Sequence, residues 1–190
     1  ASWTSRLRAS SGWPWTAESR RLPDLRPDGS AWPRISIVTP SCNQGRFLEA
    51  CIRSVLLQGY PLVEYIVMDG GSTDESVAVI KKYEPWISTW TSERDGGQYD
   101  AINKGFSHST GRIMAYLNSD DMFLPNTFWA VGSVFGELST VRWLTTRSLA
   151  VFDEDDRMVQ ICPVAGYSRR HFFEGRHLWG RPGFTQHIQQ

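Results

Sequence analysis

Asp120 and Asp121 stand side by side, directly after the apolar run Ile113-Met114-Ala115-Tyr116-Leu117. Two adjacent carboxylates at the mouth of a buried strand repel each other and lose hydration. They call for a cation or for hydrogen-bond donors. A hard divalent ion, Mn2+ or Mg2+, takes oxygen from one or two carboxylates and fills its remaining positions with phosphate oxygens. Such an ion would neutralise a departing diphosphate. The plainer account is a helix start decorated with acids before Pro125, where the helix dipole favours negative charge. Asn118 and Ser119 ahead of the pair, and the polar residues at other strand ends, favour the metal.

A second carboxylate, Asp69, closes the run Tyr65-Ile66-Val67-Met68 and precedes Gly70-Gly71. It can accept from a base N–H or a ribose hydroxyl, and the glycines permit close backbone approach or a turn with positive φ. Simple turn chemistry explains the motif equally well when it is taken alone. The fingerprints G-x-G-x-x-G and G-x-x-x-x-G-K-[ST] are absent, which demotes dinucleotide and P-loop readings.

The elements that must hold these groups alternate. Ile35-Ser36-Ile37-Val38-Thr39 reads as a strand stopped by Pro40. Phe47, Leu48, Cys51, Ile52, Val55 and Leu56 recur at helical spacing as far as Gly59. Ser72 and Glu75 stand at capping-box spacing before a helix through Val77, Ile80 and Tyr83. A third strand is expected over 87–92, a third helix through Ala101, Ile102, Gly105 and Phe106, a fourth strand over 113–117, and a fourth helix opening at Pro125. Repeated strand–helix alternation implies right-handed βαβ units and a largely parallel sheet. Ligands bind such sheets beyond the carboxyl ends of the strands. Those ends carry Thr39-Pro40-Ser41-Cys42-Asn43, Asp69-Gly70-Gly71-Ser72, Glu93-Arg94-Asp95-Gly96-Gly97 and Asp120-Asp121.

Residues 1–34 hold Pro14, Pro23, Pro27 and Pro33 beside Trp3, Trp13, Trp15 and Trp32. Proline at this density opposes helix and central strand. The tryptophans are too apolar for a solvated tail, so an extended arm with docked indoles is expected. Two further strands are expected over 143–152 and 158–162, and loops beyond Gly166.

Twenty basic and 20 acidic residues cancel, which argues against a general nucleic-acid binder. Three cysteines in no metal-binding spacing read as reduced thiols. No apolar run approaches the roughly 20 residues of a transmembrane helix, and no signal-peptide pattern opens the chain. The expected location is therefore cytoplasmic, with peripheral contact at the inner face of the membrane left open.

Ile37-Val38-Thr39-Pro40-Ser41 with Asn43-Gln44-Gly45, then Ser54-Val55-Leu56-Leu57-Gln58, Asp69-Gly70-Gly71-Ser72-Thr73-Asp74, Asp100-Ala101-Ile102-Asn103-Lys104-Gly105 and Leu117-Asn118-Ser119-Asp120-Asp121 follow one another in a known order. The segment over 33–125 resembles the family-two glycosyltransferases of the GT-A fold. That resemblance implies a three-layer, Rossmann-like α/β/α domain over 35–190, with a donor-binding part at 35–136 and an incomplete acceptor-side part at 137–190. It implies inverting transfer of a sugar from a nucleoside-diphosphate donor, UDP-type by expectation, to the hydroxyl of a saccharide or lipid-linked acceptor in cell-wall or exopolysaccharide synthesis. Thr39, Pro40 and Ser41 would line the nucleoside pocket and Asp69 would contact the base. Asn43, Gly71, Asp95, Asp100, Asn103, Lys104 and Ser119 would border the donor. Asp121 would ligate the metal and Asp120 would face the ribose or sugar.

The family's general base usually follows a segment like His187-Ile188-Gln189-Gln190, where this sequence stops. The expectation is thus a chain short on its acceptor side, with no base assigned. Glu174 and His187 are the nearest substitutes, each more naturally structural. A non-catalytic nucleotide-sugar-binding module is the second reading. A NAD-dependent oxidoreductase and a phosphate-accepting receiver domain fit less well. The arginines at 169, 170, 176 and 181 could meet phosphate or a lipid-linked acceptor, although ordinary solvated surface is the plainer reading.

Overall fold

A computed structural model of the chain describes residues 11–145, 148–152 and 158–163. The chain divides after Val141 into two compact units. The first is built on four parallel strands, β1 (Ile35–Ser41), β2 (Val63–Asp69), β3 (Thr89–Ser92) and β4 (Ile113–Tyr116), in the order β3-β2-β1-β4. Four helices follow the strands in turn: α1 (Gly45–Leu56), α2 (Ser76–Tyr83), α3 (Gln98–His108) and α4 (Thr127–Glu137). From the second unit, β5 (Ser148–Phe152) and β6 (Met158–Pro163) form an antiparallel pair. Among the described residues no helix is long and apolar enough to cross a membrane.

β1 is buried along its whole length, as expected for a central strand covered on both faces. Side chains alternate across it. Ile35 and Ile37 join Tyr65 and Val67 in a core with Leu48, Ile52 and Val55 of α1, Ile80 of α2 and Phe128 of α4. Val38 points the other way, with Ile66 and Met68, onto Ala101 of α3. The result is three layers, with α1, α2 and α4 on one face and α3 on the other.

Several boundaries differ from the sequence reading. Pro40 does not stop the first strand. The Leu117 amide donates to the Val38 carbonyl at 2.9 Å and the Gly70 amide to the Ser41 carbonyl at 2.8 Å. Even-numbered residues of β1 therefore address β4 and odd-numbered ones address β2. The N–H that Pro40 lacks would point past Tyr116, where β4 has ended, so the proline breaks no rung.

The capping box also fails. Ser72 binds Asp69, and it is Asp74 that accepts from the Ser76 amide at 2.9 Å at the start of α2. Pro125 precedes α4 by two residues, and Asn126 takes the N-cap with φ 64°. Phe47 lies exposed on α1 under the Arg46 guanidinium rather than in the core.

Residues 11–34 pack on this unit. Trp32 is buried edge-on against Tyr60, which in turn meets Phe128 edge-on. Trp3 lies outside the described residues.

α3 sits close to the sheet because Gly105 has no side chain: a Cβ there would strike both γ-methyls of Val38. Valine is stiff at χ1 and held in a packed core, so it cannot yield cheaply. Gly105→Ala is expected to lower stability by about 1–3 kcal/mol, read as a lower urea midpoint at unchanged slope. A neutral substitution would show that α3 is not pinned this way.

Candidate donor site

The order β3-β2-β1-β4 places the topological switch between β1 and β4, and in such sheets the ligand crevice lies there, beyond the strand ends. Three loop systems meet around it. Two of them are fastened to each other, and the third carries the acid pair.

The first system joins the ends of β1 and β2. Asp69 is 2% exposed. Its carboxylate accepts from the Ser72 amide at 2.9 Å, the Ser72 hydroxyl at 2.5 Å and the Ser92 hydroxyl at 2.6 Å. Asp69 thus ties the ends of β2 and β3 together, and its oxygens are already engaged within the protein. The Asn43 amide donates to Ser72 Oγ at 2.7 Å, and Asn43 Oδ1 accepts from the Thr73 amide at 2.9 Å. Asn43 reaches this position with φ 54°, which asparagine tolerates. The Gly45 amide at the start of α1 donates to Asp74 at 2.9 Å.

The second system follows β3. The Glu93 amide donates to the Asp69 carbonyl at 2.9 Å, which lays residues 93–95 along Gly70 and Gly71. A Cβ on Gly70 would stand 3.1 Å from an Asp95 carboxylate oxygen, and one on Gly71 (φ 79°) 3.2 Å from the Arg94 amide. Gly71 is favoured by its positive φ and by the nearby backbone, whereas a side chain at Gly70 would ask the Asp95 carboxylate to shift by a few tenths of an ångström. Asp95 accepts from the Gly97 amide at 2.8 Å, and Asp100 from the Gly96 amide at 2.9 Å. Lys104 pairs with Asp100 at 3.1 Å, one helical turn on. The Gly96 amide and Lys104 both hold the Asp100 carboxyl below its ordinary range, the amide more strongly. Asn103 is exposed on α3.

The third system is the turn after β4. Asn118 and Ser119 are buried, whereas Asp120 and Asp121 reach solvent. Asn118 Nδ2 donates to Asp121 Oδ2 at 3.1 Å, and Asn118 Oδ1 accepts from Gln98 Nε2 at 2.6 Å. Beneath the turn the Cys51 thiol donates to the Asn118 carbonyl at 3.4 Å, and burial pushes that thiol up to about 12, so it stays protonated as a donor.

Asp121 keeps a solvent-facing side, but neighbouring atoms strip much of its hydration and so raise its carboxyl above the ordinary range. The Asn118 amide opposes this, and the charge on Asp120 adds to it. Two adjacent carboxylates with solvent access, one of them costly to ionise, fit a hard cation that would take its other ligands from phosphate. Among the described residues there is no cluster of three or more acidic, histidine or cysteine ligands.

Not every expected residue faces the crevice. Thr39 is fully buried, and its hydroxyl accepts from Tyr65 Oη at 3.1 Å beside the Cys51 thiol. Its side chain belongs to the core and cannot line a nucleoside pocket. Pro40 is buried on the opposite face of β1. Ser41 is different: its Oγ is buried with no hydrogen-bond partner among the described residues, at the end of β1. Gln98, Ser92 and Cys51 escaped the sequence reading. Gln98 directly after Gly96-Gly97 was a usable signal, but Cys51 at a core helical position gave none. Glu174 and His187, like the arginines after residue 168, lie outside the described residues.

Residues 36–131 match glycosyl transferase family 2, and the chain belongs to that family. An uncharacterized glycosyltransferase of Mycobacterium tuberculosis is 42% identical over 92 residues, covering 48% of this chain and 35% of that protein. A PGL/p-HBAD biosynthesis glycosyltransferase of Mycobacterium bovis is 32% identical over 111 residues, covering 56% of this chain and 43% of that protein. The chain thus spans less than half the length of these relatives.

Among solved structures, Staphylococcus aureus TarS bound to UDP-GlcNAc superposes with a TM-score of 0.52 at 18% identity, over 63% of this chain and 40% of that one. The mannosyltransferase PcManGT of Pyrobaculum calidifontis, bound to GDP-Man and Mn2+, gives 0.50 at 23% identity, over 60% and 36%. The fold is GT-A.

The raised proton affinity of Asp121 has a sign that can be checked. The native state binds that proton more tightly than the unfolded chain does. Stability therefore falls as pH rises from the ordinary carboxylate range through the raised value, and the full cost is carried at neutral pH. Without metal, Asp121→Asn is expected to melt higher than the parent at pH 7, with the difference vanishing below about pH 4. A variant that melts lower at pH 7 would contradict the desolvated-carboxylate account.

Proposed function

We propose that residues 35–136 are the donor half of an inverting, metal-dependent sugar transfer from a nucleoside-diphosphate sugar to an acceptor hydroxyl. The observation that carries this reading is the Gln98–Asn118–Asp121 chain of hydrogen bonds, which fixes an acid pair beside the β1/β4 switch point. A structural acid pair at a helix start would not need two amide side chains to aim it.

The parts divide as follows. Ser41 Oγ, unpartnered at the end of β1, is a group that a polar atom of the nucleoside would satisfy. Asp69 acts indirectly, holding Ser72 and Ser92 so that Gly70 and Gly71 lie flat against residues 93–95. Asp95, Asp100, Asn103 and Lys104 border the donor from the α3 side. Asp121, with Asp120 beside it, would hold Mn2+ or Mg2+, which when bound supplies positive charge against the leaving diphosphate. Asn118 holds one oxygen of the Asp121 carboxylate by a hydrogen bond, which limits the positions the carboxylate can take.

Donors linked to UDP or GDP suit this reading, since the structural neighbours were solved with UDP-GlcNAc and with GDP-Man. The acceptor is proposed to be a saccharide or a lipid-linked saccharide. The base that takes the acceptor proton is not assigned.

Calorimetry with UDP and with GDP tests the reading. At least one of them should bind in Mn2+ or Mg2+ and lose about tenfold or more of its affinity in chelator. Asp121→Asn should bind equally weakly in both, since a hydrogen-bonded charged contact is worth about 1.5–3 kcal/mol. Equal affinity with and without metal would overturn the metal-dependent reading. Metal-dependent binding without turnover on any donor would turn it into a nucleotide-sugar-binding module.

A further inference from the structure

We infer that the proline- and tryptophan-rich segment 11–34 is a working part of the donor site, a clasp that positions the acid-pair turn. The inference rests on the donor-site reading for what the turn does, but not for how the turn is held. The segment lies outside the residues that match the family.

The turn from Asn118 to Asn126 connects β4 to α4 without regular structure of its own, so its conformation depends on outside partners. On the Asn118 side these are Gln98 and Cys51. On the far side, two residues beyond Asp121, the partners come from α1, from the turn that follows it and from segment 11–34. Trp13 Nε1 donates to the Phe123 carbonyl at 2.8 Å. The Asn126 amide donates to Ser19 Oγ at 2.9 Å. The Phe123 amide donates to Ser54 Oγ at 3.2 Å, and Gln58 Nε2 donates to the Leu124 carbonyl at 3.1 Å. Two of these four bonds thus come from the arm.

The arm can bear the load because it is itself fixed. Arg53 of α1 donates to the carbonyls of Pro14 at 2.9 Å and Trp15 at 3.0 Å, and its guanidinium lies over the Trp15 ring at 5.4 Å. The Ser19 amide donates to the Leu57 carbonyl at 2.9 Å, and Ser19 is 5% exposed. A buried serine held by its amide presents its hydroxyl in one place. An ordinary packing arm would bury its indoles anywhere on the surface; this one directs an indole N–H and a buried hydroxyl at the backbone of one turn. Trp13 and Ser19 are positioning residues, since neither touches the carboxylates. They restrict the turn so that Asp120 and Asp121 meet the ion without an ordering cost at the moment of binding.

The test uses Trp13→Phe, which keeps a ring and removes the N–H, and Ser19→Ala, which removes the acceptor. Arg26→Met is the control. It removes a bond from the same arm to the Gly136 carbonyl at the far end of α4. Two readouts are taken on the full chain: amide hydrogen exchange over 118–126 without ligand, and the Mn2+ concentration needed to support UDP binding.

Loss of one hydrogen bond predicts exchange at Asp121 and Asn126 about two- to tenfold faster, and an Mn2+ requirement raised by a similar factor, in Trp13→Phe and Ser19→Ala. Arg26→Met should change neither. Unchanged exchange in the turn, an unchanged Mn2+ titration, or the same shift in Arg26→Met would overturn the inference. If UDP binding to the parent chain ignores Mn2+, the donor-site reading falls separately, and the exchange result alone decides whether the clasp exists.

Discussion

Beyond Val38, β1 has a strand partner on one side only. Its ladder to β2 continues to Ser41 and the Gly70 amide, while β4 makes its last bond through Leu117 and turns away. That unequal ending is the constraint on which the rest depends. It opens the crevice at the switch point and lets a proline sit in a central strand at no cost in hydrogen bonds. It also sets the loops after β2 and β3 on one side of the crevice and the acid-pair turn after β4 on the other. A parallel sheet buries its faces under helices, so its strand ends are where polar chemistry can reach solvent.

Each wall is then stiffened by side chain–backbone bonds rather than by regular structure. Asp69, Asn43 and Asp74 do this on the β2 side, where Asn43 and Asp74 staple the loop after β2 to the start of α1. On the β4 side the work is shared by Gln98, Asn118, Cys51 and the arm. The difference between the walls is electrostatic. The carboxylate of Asp69 is fully satisfied inside the protein, whereas that of Asp121 is short of hydration and of donors. In the proposed reading it is the second that would take an external cation.

The sheet and its parallel order were legible because burial on both faces writes long apolar runs, and these survive single exceptions. The strand-end rule then located the crevice without any detail of side chains. What the sequence hid was direction. Thr39 and Ser41 stand two apart in one strand and so point to the same face, yet Thr39 is closed over by Tyr65 and Cys51 while the Ser41 hydroxyl has no hydrogen-bond partner among the described residues. Ser72, Asp74 and Glu75 all offer caps to α2, and spacing alone favours Ser72. The structure uses Asp74 because Ser72 is already bound to Asp69, three residues back. Gln98 and Cys51 were missed because their roles are set by Asn118, a residue in the turn after β4 that is distant in sequence from both. Trp13 and Ser19 were hidden for the same reason.

The central claim is that the strand ends form one site around the acid pair. Paramagnetic broadening by Mn2+ in the presence of UDP tests it most directly, because the loss of amide signal falls steeply with distance from the ion. The account predicts that the earliest losses fall at residues 119–122, followed by 96–98 and 70–71, and that Asp121→Asn abolishes all of them together. Broadening that begins at the acidic run 153–156, or that spreads evenly over the surface and survives Asp121→Asn, would contradict it.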